Sequence, residues 1–480
     1  MGSWALRRSH LGILSLAALL VCAGLTMWRR EAAQSSEAMA LLEPLPQDSL
    51  IQSFFNQSQS SLYRDPYRQQ ERLGDDLEQV IVDAILSAQM SVDVAVQELR
   101  LPRIAEALRD RAEAGVRVRV ILENNYSRPT SSLRPQDVAQ LESRDRARYE
   151  ENLRLIDQNQ DGTLSAQEIA RNDALVILQK AGIPIIDDRA DGSRGSDLMH
   201  HKFVVVDERT VVVGSANFTL SDIHGDFSSP ESRGNPNHVL RIHSATVAQA
   251  FTSEFNLMWG DGPGGQPDSL FGLQKPARSP QSVPLAPDSA LMIQFSPQSS
   301  TKNWWESTNG LIGRSLYSAA HSIDLALFVF SDQRLSYVLE SKQKTDVSIR
   351  ALVDESFVYR PYSEALDLMG VALPNNACKF DAGNKPWETP LQTVGTPQLP
   401  AGDLLHHKFA VVDGHTVIMG SQNWSEAANH QNDENVLVIR NATVAAHFQR
   451  EFERLYQDAV LGVPEAIATK IQQENARCNL

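Results

Sequence analysis

Two stretches of this chain, beginning at His200 and His406, read HHKFVVVDERTVVVGSAN and HHKFAVVDGHTVIMGSQN. Each sets a His, a Lys two residues later, an Asp five after that, and then Gly-Ser-x-Asn. A motif match gains specificity through repetition and context. Two copies in one chain demand a fold of two similar halves that deliver both strings to a single site.

The residue types suit phosphodiester cleavage. Strand alternation puts His200 and Lys202 on one face, and likewise His406 and Lys408. An imidazole there can attack or protonate a phosphoryl group whose oxygens the ammonium neutralises. Ser215, Asn217, Ser421 and Asn423 each follow a short apolar run, TVVVGS or TVIMGS. Their side chains are expected to donate to phosphoryl oxygens from a strand-to-loop exit. Metal ligation is a competing use of His, but Lys is a poor companion for a divalent ion and carboxylates at ligand spacing are missing. No catalytic metal is expected.

Both strings resemble the H-x-K-x-x-x-x-D signature of the phospholipase D superfamily with its trailing GSxN. The likeness runs from about residue 51 to about residue 456, and the second half is similar to the small nuclease and cardiolipin-hydrolase branch. It implies an α/β fold class: two similar phospholipase D-like α/β domains, each a mixed, largely parallel sheet flanked by helices, packed so that the two His-Lys pairs meet. The repeat supports this directly. Ser91-Val-Asp-Val-Ala-Val96 answers Ser322-Ile-Asp-Leu-Ala-Leu327, and SATVAQAFTSEF from Ser244 answers NATVAAHFQREF from Asn441. Strand-like runs followed by helix-like stretches such as PRIAEALRDRAEAG read as βα units. The expected order is a first domain over 41–260, a linker over 261–290 rich in Pro, Gly and Ser, a second domain over 291–460 and a tail over 461–480.

The stretch from Ser91 to His200 is about 25 residues longer than that from Ser322 to His406. The excess falls around 142–170 and contains DQNQDGTLSAQE. This fits an EF-hand calcium loop, with oxygen ligands Asp157, Asn159, Asp161, Ser165 and Glu168, the carbonyl of Thr163, and Gly162 at the turn. A polar Asx-rich turn between helices is the plainer alternative. Calcium is expected as a structural ion, bracing the first domain or bridging it to an anionic surface.

A carboxylate often orients a catalytic imidazole, and Glu434 in the second half stands where the family usually has one. The aligned first-half residues are Asn237 and His238. Glu434 is therefore read as the partner of His406, which makes His406 the nucleophile and His200 the acid, although the resemblance implies the reverse order. Asp207 and Asp413 are read as ties that hold the strand and its Lys. The long loop DIHGDFSSPESRGNPNH is placed at the mouth of the site.

Net charge is −15 over 480 residues, a poor match for a dedicated nucleic-acid binder unless a local basic cleft exists. At the N-terminus, Arg7 and Arg8 precede an uncharged apolar run of 18 residues, Leu11 to Trp28. Residues 1–40 are read as a signal peptide or membrane anchor, so the chain is expected to be exported, periplasmic or extracellular. Cys22 lies in that segment. Cys378 and Cys478 remain as a possible disulfide between the tail and the second domain.

Three functions fit: an exported phosphodiesterase acting on phospholipids at a membrane surface, an extracytoplasmic nuclease with the same two-histidine chemistry, and a calcium-dependent surface-binding protein. Intact motifs in both halves rank the last lowest.

Overall fold

The structure, a computed structural model, describes residues 41–189, 196–381 and 384–479. The proposed export segment lies outside these residues. Residues 41–44 and 59–61 belong to a small unit of their own, in which the Leu42 amide donates to the Gln59 carbonyl at 2.9 Å. The larger unit holds both halves of the repeat.

The first half is built on seven strands: β1 (Ile51–Phe55), β2 (Ser91–Val96), β3 (Arg117–Leu122), β4 (Ile185–Asp187), β5 (Lys202–Val206), β6 (Thr210–Gly214) and β7 (His238–His243). Their order across the sheet is β1-β7-β6-β5-β2-β3-β4. The second half adds β8 (Gln281–Ala286), β9 (Ser289–Phe295), β10 (Ser322–Leu327), β11 (Ser348–Val353), β12 (Val394–Thr396), β13 (Lys408–Val412), β14 (Thr416–Gly420), β15 (Asn435–Arg440) and β16 (Val460–Leu461), in the order β8-β9-β15-β14-β13-β10-β11-β12-β16. Within these two sheets parallel pairing is confined to β2-β3-β4 and β10-β11-β12, and the other pairs are antiparallel. The sheets are mixed as expected, with a smaller parallel share than the βα alternation suggested. Motif strands β5 and β13 lead straight into β6 and β14 by three-residue turns, which forces antiparallel pairing.

The stretch read as a linker is partly sheet. Its V-x-L alternation places Val283 in the core, the L-x-I-x-F run that opens the second domain buries Leu291 and Ile293, and β9 pairs with β15 as β1 pairs with β7. Pro and Gly content concealed a repeat element.

Helices α1 (Leu77–Leu86), α2 (Pro102–Glu113), α3 (Ser143–Ile156), α4 (Ala166–Asn172), α5 (Ala174–Lys180) and α6 (Ala245–Trp259) belong to the first half. The second half carries α7 (Thr308–Tyr317), α8 (Gln333–Gln343), α9 (Ala442–Tyr456) and α10 (Glu465–Cys478). Helices α6 and α9 begin alike. Ser244 and Asn441 cap them by accepting from the amides of Val247 and Val444, which satisfies an otherwise orphaned donor. Both helices bury their Phe faces in one apolar layer shared by the two sheets, with Phe251, Phe255, Phe448 and Phe452 beside Phe203 and Phe409. Separate clusters cover the outer face of each sheet. A matched device pins each inner helix. Arg119 donates to Asp93 at 2.7 Å and lies 4.7 Å from the Phe255 ring; Arg350 donates to Asp324 at 2.7 Å and lies 4.8 Å from Phe452. A guanidinium so placed combines ion pairing with cation–π attraction.

Cys378 and Cys478 form a disulfide with Cα atoms 5.2 Å apart, fastening α10 to the second half. Among the described residues no helix is long and apolar enough to cross a membrane.

Candidate active site

The site forms where strands β5 and β13 begin. His200 and His406 sit just before those strands, with only 6% and 7% of their surfaces exposed, and Lys202 and Lys408 open them. Each ammonium donates to the carbonyl of its own motif histidine: Lys202 to His200 at 2.8 Å and Lys408 to His406 at 2.6 Å. Gln97 also accepts from Lys202 at 3.3 Å.

The orienting partners cross between halves. His200 Nδ1 lies 2.7 Å from Glu434 Oε2, whereas His406 Nδ1 lies 3.0 Å from Asn237 Oδ1. This corrects the expected pairing of Glu434 with His406. Within one half, β6 separates β5 from β7, and β14 separates β13 from β15. A residue at the start of β15 is thus two strand spacings, about 10 Å, from the start of β13, too far for a hydrogen bond. The facing half is closer: the His200 amide donates to the Asp433 carbonyl at 3.0 Å, and the Leu404 amide to Asn235 Oδ1 at 2.8 Å.

The hydrogen bonds fix the tautomers. Asn237 Nδ2 donates to the carbonyls of Asp222 and Asn235 at 2.9 and 3.1 Å. Its Oδ1 must therefore accept from His406 Nδ1–H, which leaves Nε2 bare. Glu434, as a carboxylate, fixes His200 in the same way. Asp222 Oδ1 stands 3.7 Å from His406 Nδ1, too far for a hydrogen bond but close enough to attract a charged ring.

Burial holds both histidines well below the ordinary imidazole value, and Lys202 and Lys408 add to the effect. Burial lowers Lys202 to about 8 against the pull of Glu434, Asp222 and Glu98. Lys408 is held well below its ordinary value by burial and by the like charge of Lys202. Burial raises Glu434 to about 7, opposed chiefly by Lys202. Two ammoniums crowded in a buried pocket welcome an anion, and a phosphodiester supplies one.

The structure divides the Ser/Asn set. Ser215 Oγ donates to Asn237 Oδ1 at 2.7 Å, and Ser421 is hydrogen-bonded to Glu434 while accepting from the Asn435 amide at 3.0 Å. A hydroxyl has one proton to give, so both serines buttress the orienting residues rather than reach for phosphoryl oxygens, which corrects the sequence expectation. Asn217 and Asn423 remain available: neither side chain makes a hydrogen bond among the described residues, so each Nδ2 is free to donate.

Asp207 and Asp413 stand apart. Each caps three successive amides at the start of the neighbouring strand, residues 89–91 and 320–322, at 2.7–2.9 Å. They sit at the far end of β5 and β13, roughly 16 Å from the lysines along a strand, and do not touch the reacting centre.

Sequence reasoning missed a second layer. His201 pairs with Glu254 at 3.1 Å and His407 with Glu451 at 2.8 Å, while Asn435 and His238 cross over to their ring nitrogens at 3.2 and 3.0 Å. The signal was present: both motifs carry a doubled His, and Glu254 and Glu451 hold the same place in the repeated helix.

The calcium candidates form a helix–loop–helix between α3 and α4. Gln160 and Gly162 take positive φ of 57° and 79°. Asp157 Oδ2 accepts from the Gly162 amide at 2.9 Å, Asp161 Oδ1 from Thr163 at 2.8 Å, and Glu168 Oε2 from Ser165 at 3.0 Å. Asn159 donates to Asp161. The second Asp157 oxygen is buried without a partner among the described residues, so the donor set fits a hard cation. Asp76, Glu78 and His224 also converge. There, however, Tyr63, Tyr67 and Arg103 already occupy the ring and carboxylate atoms.

The family described as "Cardiolipin synthase, PLD-like domain" matches residues 81–259 and 312–456, so each match spans one half with its complete motif. The chain belongs to this phospholipase D-like family. Among curated relatives, the mitochondrial cardiolipin hydrolase of Xenopus laevis is 32% identical over 143 residues, covering 30% of this chain and 58% of that protein. A phospholipase D of Rickettsia typhi is 27% identical over 150 residues, 31% of this chain and 63% of that one. The phospholipase D-like chain thus spans less than two thirds of either relative. Over nearly its whole length it shares the fold of the phosphatidylserine synthase of Haemophilus influenzae Rd KW20, with 13% identity, a TM-score of 0.53, and 94% and 97% of the two chains covered.

Proposed function

We propose that this chain is a phosphodiesterase that hydrolyses phospholipids through a phosphohistidine. The observation that carries the reading is the pair of buried imidazoles, each with Nδ1 held by an acceptor from the opposite half and each beside its own motif lysine. His200 is the nucleophile, because a carboxylate partner stabilises the charge its ring acquires. Its Nε2 lone pair attacks phosphorus. The bond to the leaving oxygen breaks, and that oxygen takes a proton from His406 Nε2. His406 gains this proton as substrate binds, since the phosphodiester anion offsets the two ammoniums that hold its pKa down. Water then attacks the phosphohistidine, His406 takes the water's proton, and the P–N bond breaks to free His200. Lys202, Lys408 and the amides of Asn217 and Asn423 hold the phosphoryl oxygens.

Phospholipid as substrate is supported by the acidic chain and by the names of the relatives; a membrane surface is then the partner. Export is supported by the apolar N-terminal run and by the Cys378–Cys478 disulfide, which suits an oxidising compartment. Calcium bound by Asp157, Asn159, Asp161, the Thr163 carbonyl, Ser165 and Glu168 would brace α3 against α4.

The test presents the purified chain and its His200→Ala variant with anionic phospholipid vesicles and single-stranded DNA, following head-group release and strand scission together. Head-group release that disappears in the variant is expected. Strand scission without lipid turnover would replace this reading with the nuclease.

A further inference from the structure

The insertion that lengthens the first half places a cation at the mouth of the site. Helix α3 runs through that insertion and is anchored by Glu151, whose carboxylate accepts from the amides of Phe227 and Ser228 at 2.6 and 3.1 Å. These amides belong to the loop that ends in Asn237, the partner of His406. One turn earlier, Arg148 donates to the Tyr126 hydroxyl at 3.4 Å. The Tyr126 carbonyl accepts from Arg100 at 3.2 Å, Arg100 pairs with Glu98 at 3.0 Å, and adjacent Gln97 holds Lys202. The charge of Arg148 also reaches His406, which sets it beside the site without touching the reacting centre.

Arg148 is half-buried, yet among the described residues no carboxylate lies within ion-pair distance of it. Arg154 on the same helix does have such a partner, in Glu151. The carboxylates whose charge reaches Arg148 are Glu98, Asp222 and Asp145, and the first two also face Lys202. Arg144, one turn away, adds a second cation whose charge opposes that of Arg148. Like charges at i and i+4 destabilise a helix, and among the described residues no carboxylate bonds Arg148 directly, which leaves its guanidinium open to an external anion. A guanidinium fork matches phosphate geometry.

We propose that Arg148 binds a second phosphate of the substrate, so that the site selects phosphodiesters carrying another phosphate nearby. The proposal rests on the phosphodiesterase reading. The scissile group is served by Lys202 and Lys408, which leaves the rim cation for a neighbouring group. A lipid with two phosphates and a nucleic-acid backbone both offer that chemistry.

The experiment compares the full chain with Arg148→Gln and the charge-keeping Arg148→Lys on two matched pairs: cardiolipin against phosphatidylglycerol vesicles, and 5′-phosphorylated against unphosphorylated thymidylyl-thymidine. The intact protein is expected to favour the two-phosphate member of at least one pair, which identifies the source. Arg148→Gln should cut that ratio of kcat/KM about tenfold, the weight of one charge-assisted contact, and Arg148→Lys should restore part of it. A ratio that does not move in Arg148→Gln, or no preference in the intact protein, overturns the proposal. Calorimetry with propane-1,3-diol bisphosphate and propyl phosphate reads the same contact without turnover. If neither pair is hydrolysed, the phosphodiesterase reading fails and calorimetry decides Arg148 alone: a bisphosphate preference lost in Arg148→Gln supports it, and equal affinities reject it.

Discussion

Replacing Glu434 by Gln should move stability and catalysis in opposite directions. The carboxyl is raised from 4.5 to about 7 by burial. At about 1.4 kcal/mol per unit this shift is worth about 3 kcal/mol. A raised acid contributes its stability fully below the unfolded value of 4.5 and loses it as pH rises through about 7. Gln stays neutral throughout. In urea unfolding, the stability of Glu434→Gln relative to the wild type should therefore improve by about 3 kcal/mol between pH 4 and pH 8. Turnover at pH 8 should fall roughly tenfold. The amide still fixes the His200 tautomer, as Asn237 does for His406, but a neutral acceptor is about half as strong as a charged one. A double-mutant cycle identifies the partner: Glu434 should couple to His200 by about 1–3 kcal/mol and to His406 by less than about 0.5. Coupling to His406 instead, or a stability gap that ignores pH, would refute the crossed arrangement.

His406→Ala with a 4-nitrophenyl phosphodiester, whose leaving group needs no acid, should trap an acid-labile phosphoryl group on His200; mass spectrometry finding it at His406 in the reciprocal variant alone would reverse the roles. Asp413→Asn should lower the unfolding free energy by about 1–3 kcal/mol, because it weakens the bonds to three amides, while activity per folded molecule holds; a specific loss of turnover would return Asp413 to the site. Calcium at a hundredfold excess over its dissociation constant should stabilise the chain by about 2.7 kcal/mol, and Glu168→Gln should lose most of that gain in melting temperature. A chain whose melting ignores calcium has no ion site in this loop.

The two motifs, the halves and the helix–loop–helix were all legible in the sequence, because each is local or repeats at fixed spacing. The crossed partners were not. Residues 237 and 434 align with their own halves, and only the strand order reveals that β6 and β14 keep them from their own histidines. The serines were misjudged for a related reason: a hydroxyl beside a motif cannot announce which acceptor already holds its proton. The β8–β9 hairpin was hidden because Pro284 and Pro287 outweighed an apolar alternation that repeats the pattern of β1.

The exchange of orienting residues between halves has a consequence for how such a site can change. Two identical subunits would be bound to give both histidines the same neighbour, and every mutation would strike twice. Once both copies share one polypeptide, each position mutates alone. Here one copy has an acid at position 434 and the other an amide at 237, so the basicity of each imidazole is written in the opposite half and can drift without disturbing its twin.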